Sequence, residues 1–130
     1  MNIIMSIHPK WAEKIYKGEK TIEWRKNFPK NIHAGNRIYL YETAPVCRVT
    51  GFVIYNGKFE FFPDNIELYP RAVEYGCVPL EKLKEYKGKS KSIFGWFVTR
   101  PGKFPLPLKI QNFISGDKPP QSWQYLKEEK

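Results

Sequence analysis

Apolar and polar residues change rhythm several times along this chain, and each rhythm predicts an element. Asn2 to Ile7 is an almost continuous apolar run, the pattern of a strand buried on both faces. Pro9 suits the first turn of a helix, because its missing N–H would have no partner there. Ala12, Ile15 and Tyr16 then recur at helical spacing until Gly18 offers the left-handed residue that ends such a helix. In Thr21 to Arg25 the period shortens to two: Ile22 and Trp24 alternate with Thr21, Glu23 and Arg25, giving a strand with one apolar and one polar face. After a turn signature at Pro29, Gly35 and Asn36, Arg37 to Thr43 alternates Ile38 and Leu40 with Tyr39 and Tyr41, and Pro45 is expected to end that strand. Val49 to Tyr55 reads as the next strand, with Gly51 marking a bulge or a close backbone approach. Asn56-Gly57 then predicts a hairpin turn into Lys58 to Phe62.

Two helices are expected next, over Pro63 to Tyr75 with Asp64 as cap, and over Pro79 to Lys87, where Leu80, Leu83 and Tyr86 share one stripe. Ser92 to Thr99 reads as a buried strand. Phe104 to Phe113 is interrupted by prolines and is at best an edge strand, followed by the polar GDKPPQS and a short terminal turn. About five or six strands with two or three covering helices predict an α+β fold on a small mixed or antiparallel barrel. The 130 residues are 42% hydrophobic and 16% aromatic, enough apolar surface for one core, so a single domain over residues 1–130 is expected.

Charge narrows the partners. The 22 Lys and Arg against 13 Asp and Glu leave a formal charge of +9, which favours a polyanion: RNA or a nucleotide first, with DNA also admissible. Cys47 and Cys77 are too far apart for a zinc knuckle and too few for a disulfide framework, which predicts two buried free thiols in a cytoplasmic protein. His8 and His33 stand at no ligand spacing from a cysteine or from each other, and no Gly-rich phosphate loop or Ser/His/Asp set can be assembled. No metal and no tightly held cofactor are therefore expected. No apolar run approaches the roughly 20 residues of a membrane span, and the N-terminal MNIIMSIHPK lacks a signal-peptide pattern. A monomer without a membrane partner is the expectation.

The candidate chemistry sits in GEKTIEWRK. Lys20, Glu23 and Arg25, joined by Thr21, fall on or beside one strand face. Spacing alone admits a solvated face whose ion pair is worth at most about 1 kcal/mol. Because Ile22 and Trp24 already serve the core, the polar set is expected to face a cleft instead. There Glu23 accepts from an exocyclic amine while the two cations meet a phosphate or a base edge, or the trio performs acid-base work. Among the many aromatic residues, most of them core, Tyr41 and Trp123 lie next to polar clusters and are candidates for stacking on unpaired bases. The stretch KEYKGKSKS, Lys84 to Ser92, reads equally as a solvated helix end and as a phosphate-tracking patch carried by Lys89 and Lys91.

The run SIHPKWAEKIYKGEKTIEWRKNFP, followed by YETAP, Gly51 and the late PPQSWQYL, resembles the ASCH domain family of the PUA-like superfamily, in particular its small single-domain prokaryotic and phage-type members. The likeness spans nearly the whole chain, and its most diagnostic part is G-x-K-x-x-E-x-R, here Gly18, Lys20, Glu23 and Arg25. The resemblance implies a PUA-like pseudo-β-barrel with a cleft lined by that motif. It also implies binding of RNA or modified nucleotides, in translation- or transcription-related regulation. An enzymatic alternative comes with it: some relatives are amidohydrolases that deacetylate N4-acetylcytidine, and others are credited with ribonuclease activity. The amidohydrolase pattern reads G-x-K-T-x-T-x-R, with the lysine and second threonine catalytic. Lys20 matches that lysine, Glu23 replaces that threonine, and Glu74 is the candidate for the later catalytic glutamate. The expected nucleotide-binding set is Lys20 at the rim of the cleft, Glu23 and Arg25 inside it, Thr21, Tyr41 and Ser122 as neighbours, and Lys89 and Lys91 outside. Lys20 and Glu23 are the catalytic pair if the chain is an enzyme.

Overall fold

A computed structural model describes residues 1–127. It contains six strands, β1 (Ile3–Ile7), β2 (Ile22–Arg25), β3 (Arg37–Glu42), β4 (Arg48–Phe61), β5 (Ile93–Leu108) and β6 (Trp123–Tyr125). Three α-helices accompany them, α1 (Pro9–Tyr16), α2 (Ala72–Gly76) and α3 (Leu80–Lys87). The strands form one sheet in the order β2-β5-β4-β3-β1-β6, parallel between β1 and β3 and antiparallel at the other pairings. The sheet curls into a half-barrel, so the expected α+β barrel with covering helices is the architecture observed.

Alternation along β1 feeds two layers. Ile3, Met5 and Ile7 pack with Ile38, Leu40, Val53, Trp96 and the α1 residues Ala12 and Ile15, whereas Ile4 joins Tyr41, Val49, Ile110 and Ile114 on the other face. A third cluster, built on Ile22, Trp24, Phe61, Ala72, Leu83 and Ile93, lies where α2 and α3 cover the β2 end of the sheet. The helix α1 starts as its sequence dictates: Pro9 occupies the first turn and the His8 imidazole accepts from the Lys10 N–H at 3.2 Å. It stops at Gly18, whose φ of +79° is the left-handed value expected.

Four segments depart from the sequence reading. Asn56-Gly57 makes no hairpin turn; β4 runs straight through it. The register instead slips between Tyr55, opposite Val98, and Lys58, opposite Trp96, a bulge with Gly57 at φ +103° that bends the strand around the barrel. The expected helix over residues 63–75 breaks in two, a 3₁₀ turn at Pro63–Leu68 and then α2, because Pro70 cannot continue a helix and Asn65 has non-helical angles. Asp64 caps neither piece. The segments expected as separate strands after Ser92 are one, β5. Its Pro101, Pro105 and Pro107 are tolerated because β2 pairs only with Phe94 to Phe97, leaving the rest of that side free. The expected terminal turn contains β6, which pairs with β1.

The cysteines also differ from expectation. Cys47 is exposed and Cys77 only half-buried, since both occupy positive-φ turn positions (52° and 58°) outside the sheet.

Candidate functional site

The strand β2 forms one end of the sheet and carries side chains into two places. Ile22 and Trp24 enter the cluster under α2 and α3, while Glu23 and Arg25 emerge on the opposite face. They are not solvated: Glu23 is 5% exposed and Arg25 9%. The Arg25 guanidinium spans the curl. Its Nε and Nη2 donate to Glu23 Oε2 at 3.0 and 2.7 Å, Nη2 also donates to the Ser6 carbonyl at 2.9 Å, and Nη1 donates to Ser122 Oγ at 2.9 Å. In sheet order Ser6 lies four strands away from β2, and Ser122 immediately precedes β6. One side chain therefore stitches the β2 end of the sheet to the β1–β6 end, with its donors committed to protein acceptors. A backbone hydrogen bond from Ser6 N to the Ser122 carbonyl (2.9 Å) and one from Ser6 Oγ to the Pro120 carbonyl (2.6 Å) complete the seam.

Lys20 occupies the floor of the cleft, not its rim. At 2% exposure it is among the most buried side chains of the protein. Its ammonium donates to the Gly76 carbonyl, lies 3.6 Å from Glu23 Oε1, and sits 5.2 Å from the centre of the Trp11 ring. Withdrawal from water disfavours the charged form and lowers the Lys20 pKa from its usual 10.5, against the opposing pull of Glu23. The two carboxylate oxygens of Glu23 thus have different neighbours, Arg25 on Oε2 and Lys20 on Oε1.

Around this floor the protein leaves a cavity of about 360 Å³, within the lower range of small-ligand sites. Trp11 of α1 forms one wall; Val78 and the α3 residues Lys82, Leu83 and Tyr86 form the other. Both aromatic walls carry a cation on a ring face, Lys10 at 4.7 Å from the Trp11 ring centre and Lys26 at 5.0 Å from that of Tyr86. Burial raises the Tyr86 pKa above 10, so the phenol stays protonated at neutral pH.

Of the residues singled out from sequence, the structure brings Lys20, Glu23, Arg25 and Ser122 together. Thr21 turns aside: its backbone bonds to Tyr75 and Val98, and it borders a hollow with Asn56, Phe97 and Thr99. Tyr41 is a core residue of the Ile4 cluster and does not reach the cleft, because it alternates onto the opposite sheet face from Leu40. Lys89 and Lys91 are exposed in the loop after α3 and do not line the cavity. There Lys87 caps the loop by donating to the Gly88 and Ser90 carbonyls and lies 3.8 Å from Asp64, as a helix C-terminus favours. Glu74 is exposed on α2 and is also absent from the lining. Trp123 is half-buried, its indole donating to Asn27 Oδ1 at 3.0 Å.

Trp11 and Tyr86 escaped the sequence reading. Trp11 does carry a signal, since it stands off the Ala12-Ile15-Tyr16 stripe of its helix, whereas Tyr86 is hidden by falling on the apolar stripe of α3. Among the described residues no group of three or more His, Cys, Asp or Glu side chains is placed to hold a metal ion.

Comparison with known proteins bears on the family and the fold. The ASCH domain profile matches residues 5–107. A curated relative from Zymomonas mobilis subsp. mobilis, the "ASCH domain-containing ribonuclease", is 26% identical over 130 residues, covering 97% of this chain and 84% of the relative. The crystal structure of ASCH from Zymomonas mobilis superposes with a TM-score of 0.84 at 22% identity, over 98% of this chain and 88% of that one. A mutant form of the Zymomonas mobilis protein gives the same TM-score at 20% identity, covering 98% and 91% of the two chains. The curled six-stranded sheet is the fold of these proteins, a PUA-like barrel as the motif had implied.

Proposed function

The chain belongs to the ASCH domain family, and from that premise we propose that it binds RNA, holding one unpaired nucleotide in the Lys20/Glu23 cleft. The observation that carries this reading is the pairing of a buried, charged floor with two aromatic walls in a cavity of about 360 Å³. A flat base entering between Trp11 and Tyr86 gains stacking worth about 1–3 kcal/mol. Glu23 Oε1 accepts from its exocyclic amine, and Lys82 with the ring-capping Lys10 and Lys26 offers cations to the flanking phosphates. The +9 charge supplies the long-range attraction.

A second reading, in which the cleft also cleaves RNA, is favoured by the burial of Lys20 against Glu23 and by the name that the Zymomonas relative carries. Burial lowers the proton affinity of Lys20, which makes it a better proton-exchange partner for an attacking hydroxyl than an exposed lysine.

Fluorescence anisotropy with labelled single-stranded oligonucleotides separates the two. Binding is expected at low salt, weakened by Trp11→Ala about 5- to 100-fold, the equivalent of one lost stack, with the oligonucleotide recovered intact. No affinity at low salt sinks both readings. Cleavage by wild-type protein that Lys20→Ala abolishes would establish the second, whereas cleavage surviving that substitution marks a contaminant. Release of acetate from N4-acetylcytidine is not expected, because Glu23 stands where the amidohydrolase pattern has its catalytic threonine.

A further inference from the structure

The helix α1 has a second concave neighbour. Trp11 faces the Lys20 cleft, whereas Pro9, Glu13, Tyr16 and Lys17, which helical spacing gathers roughly opposite Trp11, line a separate cavity of about 440 Å³. Its far wall is Glu42, the last residue of β3, and Lys103 of β5. A bulge shapes this wall: Leu40 pairs with Gly51 and Tyr41 with Val49, so Thr50 is the extra residue, and its hydroxyl meets the Tyr16 hydroxyl at 2.7 Å.

Glu42 is the unexplained part. It is only 9% exposed, yet it enters none of the side-chain hydrogen bonds or ion pairs formed among the described residues. Its oxygens keep some contact with solvent, since the buried side-chain N and O atoms left without a partner among the described residues are Trp24 Nε1 and Trp96 Nε1, so the Glu42 carboxylate is open to a donor that enters the cavity. Lys17 lies 2.9 Å from Glu13 instead, and the Lys103 ammonium is 5.5 Å from the centre of the Tyr16 ring without a carboxylate partner among the described residues. The cavity thus presents one carboxylate without a protein donor on its wall and one unpaired cation at the surface, among the described residues.

Two common groups carry the parallel pair of N–H donors that a carboxylate accepts best: a guanidinium and the Watson–Crick edge of guanine. The lining itself balances Glu13 and Glu42 against Lys17 and Lys103, but the +9 charge of the whole chain disfavours the approach of a cation. Guanine is neutral and arrives with an anionic phosphate. We propose that this cavity is a guanine-nucleotide site, in which Glu42 accepts from the base N1–H and N2 amino group and Lys103 meets the phosphate. The choice of a nucleotide rests on the reading of the chain as an RNA binder, but the site uses none of the Lys20 cleft residues. The two cavities are separated by the width of a helix, about 10 Å, a gap that a short stretch of one RNA strand bridges, so the chain would hold two bases and select guanine at one of them.

The test uses the full chain and three mononucleotides, with binding followed by NMR titration. Guanosine 5′-monophosphate is expected to bind about tenfold more tightly than inosine 5′-monophosphate, which lacks the N2 amino group, and adenosine 5′-monophosphate more weakly still. Glu42→Gln should erase the guanine preference, and Lys103→Ala should weaken all three alike. Equal affinity of the wild-type chain for the guanosine and adenosine nucleotides overturns the proposal without need of a variant. So does guanosine monophosphate binding that Lys20→Ala removes and Glu42→Gln spares. Loss of oligonucleotide binding in the Lys20 cleft with guanine selectivity intact would count against the first site alone.

Discussion

Replacing Glu23 by glutamine changes one atom and removes the only carboxylate within ion-pair distance of Arg25 and Lys20 among the described residues. The shape of the cleft is retained, and two cations at 9% and 2% exposure are left to face each other. Removing one partner of a buried ion pair costs about 3–5 kcal/mol, a large share of the roughly 5–15 kcal/mol that holds a domain folded. The midpoint of thermal unfolding should fall by roughly 10 °C or more. The two cations respond differently. A guanidinium does not give up its proton in a protein, whereas the Lys20 ammonium can. Its folded pKa is already lowered from 10.5, so between that folded value and 10.5 the unfolded chain binds more protons and stability rises with pH. Without Glu23 the folded pKa drops further, at about 1.36 kcal/mol per unit. The deficit of the variant is therefore greatest below the variant's own Lys20 pKa and shrinks as pH rises from there to the wild-type value, leaving the Arg25 contribution. Urea unfolding of both proteins over a pH series reaching the ordinary lysine value of 10.5 measures this. A deficit below about 1 kcal/mol would mean that the trio is an ordinary hydrated ion pair, and one that does not change with pH would refute the account of Lys20.

Three further outcomes follow from packing and charge. Gly51→Ala should destabilise by about 1–3 kcal/mol or more, because its Cβ would lie 2.9 Å from Lys103 Cα and 2.7 Å from the Tyr16 hydroxyl and would collide with the Gly102 carbonyl; chemical denaturation reads this, and a neutral result would mean that the β4–β5 contact is looser than described. Tyr16→Phe strands the Thr50 hydroxyl, in a residue 4% exposed, and should cost about 1–3 kcal/mol. In the wild type the Tyr16 phenol, raised by burial to about 12, should make stability fall as pH climbs from 10 toward 12, a slope that Tyr16→Phe should make shallower, with the share of the other buried tyrosines remaining. For RNA binding, neutralising four phosphates gives a log-log salt slope of about −3, and affinity indifferent to salt would exclude phosphate contacts.

Much of this molecule is legible in its sequence where the signal is local. The β1 run, the Pro9 start and Gly18 stop of α1, and the alternation in β2 depend on neighbours a few residues away, and they appear in the structure nearly residue for residue. The motif cleft was legible too, because Ile22 and Trp24 account for one face of β2 and leave Glu23 and Arg25 to find another. What failed depended on curvature and on distant partners. Asn56-Gly57 has turn chemistry, but a half-barrel needs a bend there and pairing with β5 on both sides of the bulge wins. The prolines of β5 look prohibitive until one sees that β2 begins only at Ile22, opposite Phe97, so the later part of β5 has no β2 partner. The depth of Lys20 was invisible because α2, which supplies the Gly76 carbonyl, arrives from more than fifty residues downstream. Tyr41 was drawn toward the site by its polar neighbours in sequence, although the pleat sends it to the other side of the sheet.

The unequal surroundings of the two Glu23 oxygens set a rule for what the cleft can accept. Oε2 is part of the joint that keeps the barrel shut, since a donor competing for it would have to displace Arg25 and, with it, the tie to Ser6 and Ser122. Oε1 is held only by the looser approach of Lys20 at 3.6 Å. A guest that offers a single donor at Oε1 leaves the joint untouched, whereas one that demands both oxygens works against the fold that presents them. On the proposed reading of the cleft as a nucleotide site, recognition would be one-handed: a base with one exocyclic amine to give would enter at no structural cost, and a group with a donor pair would meet the mechanical duty of the second oxygen.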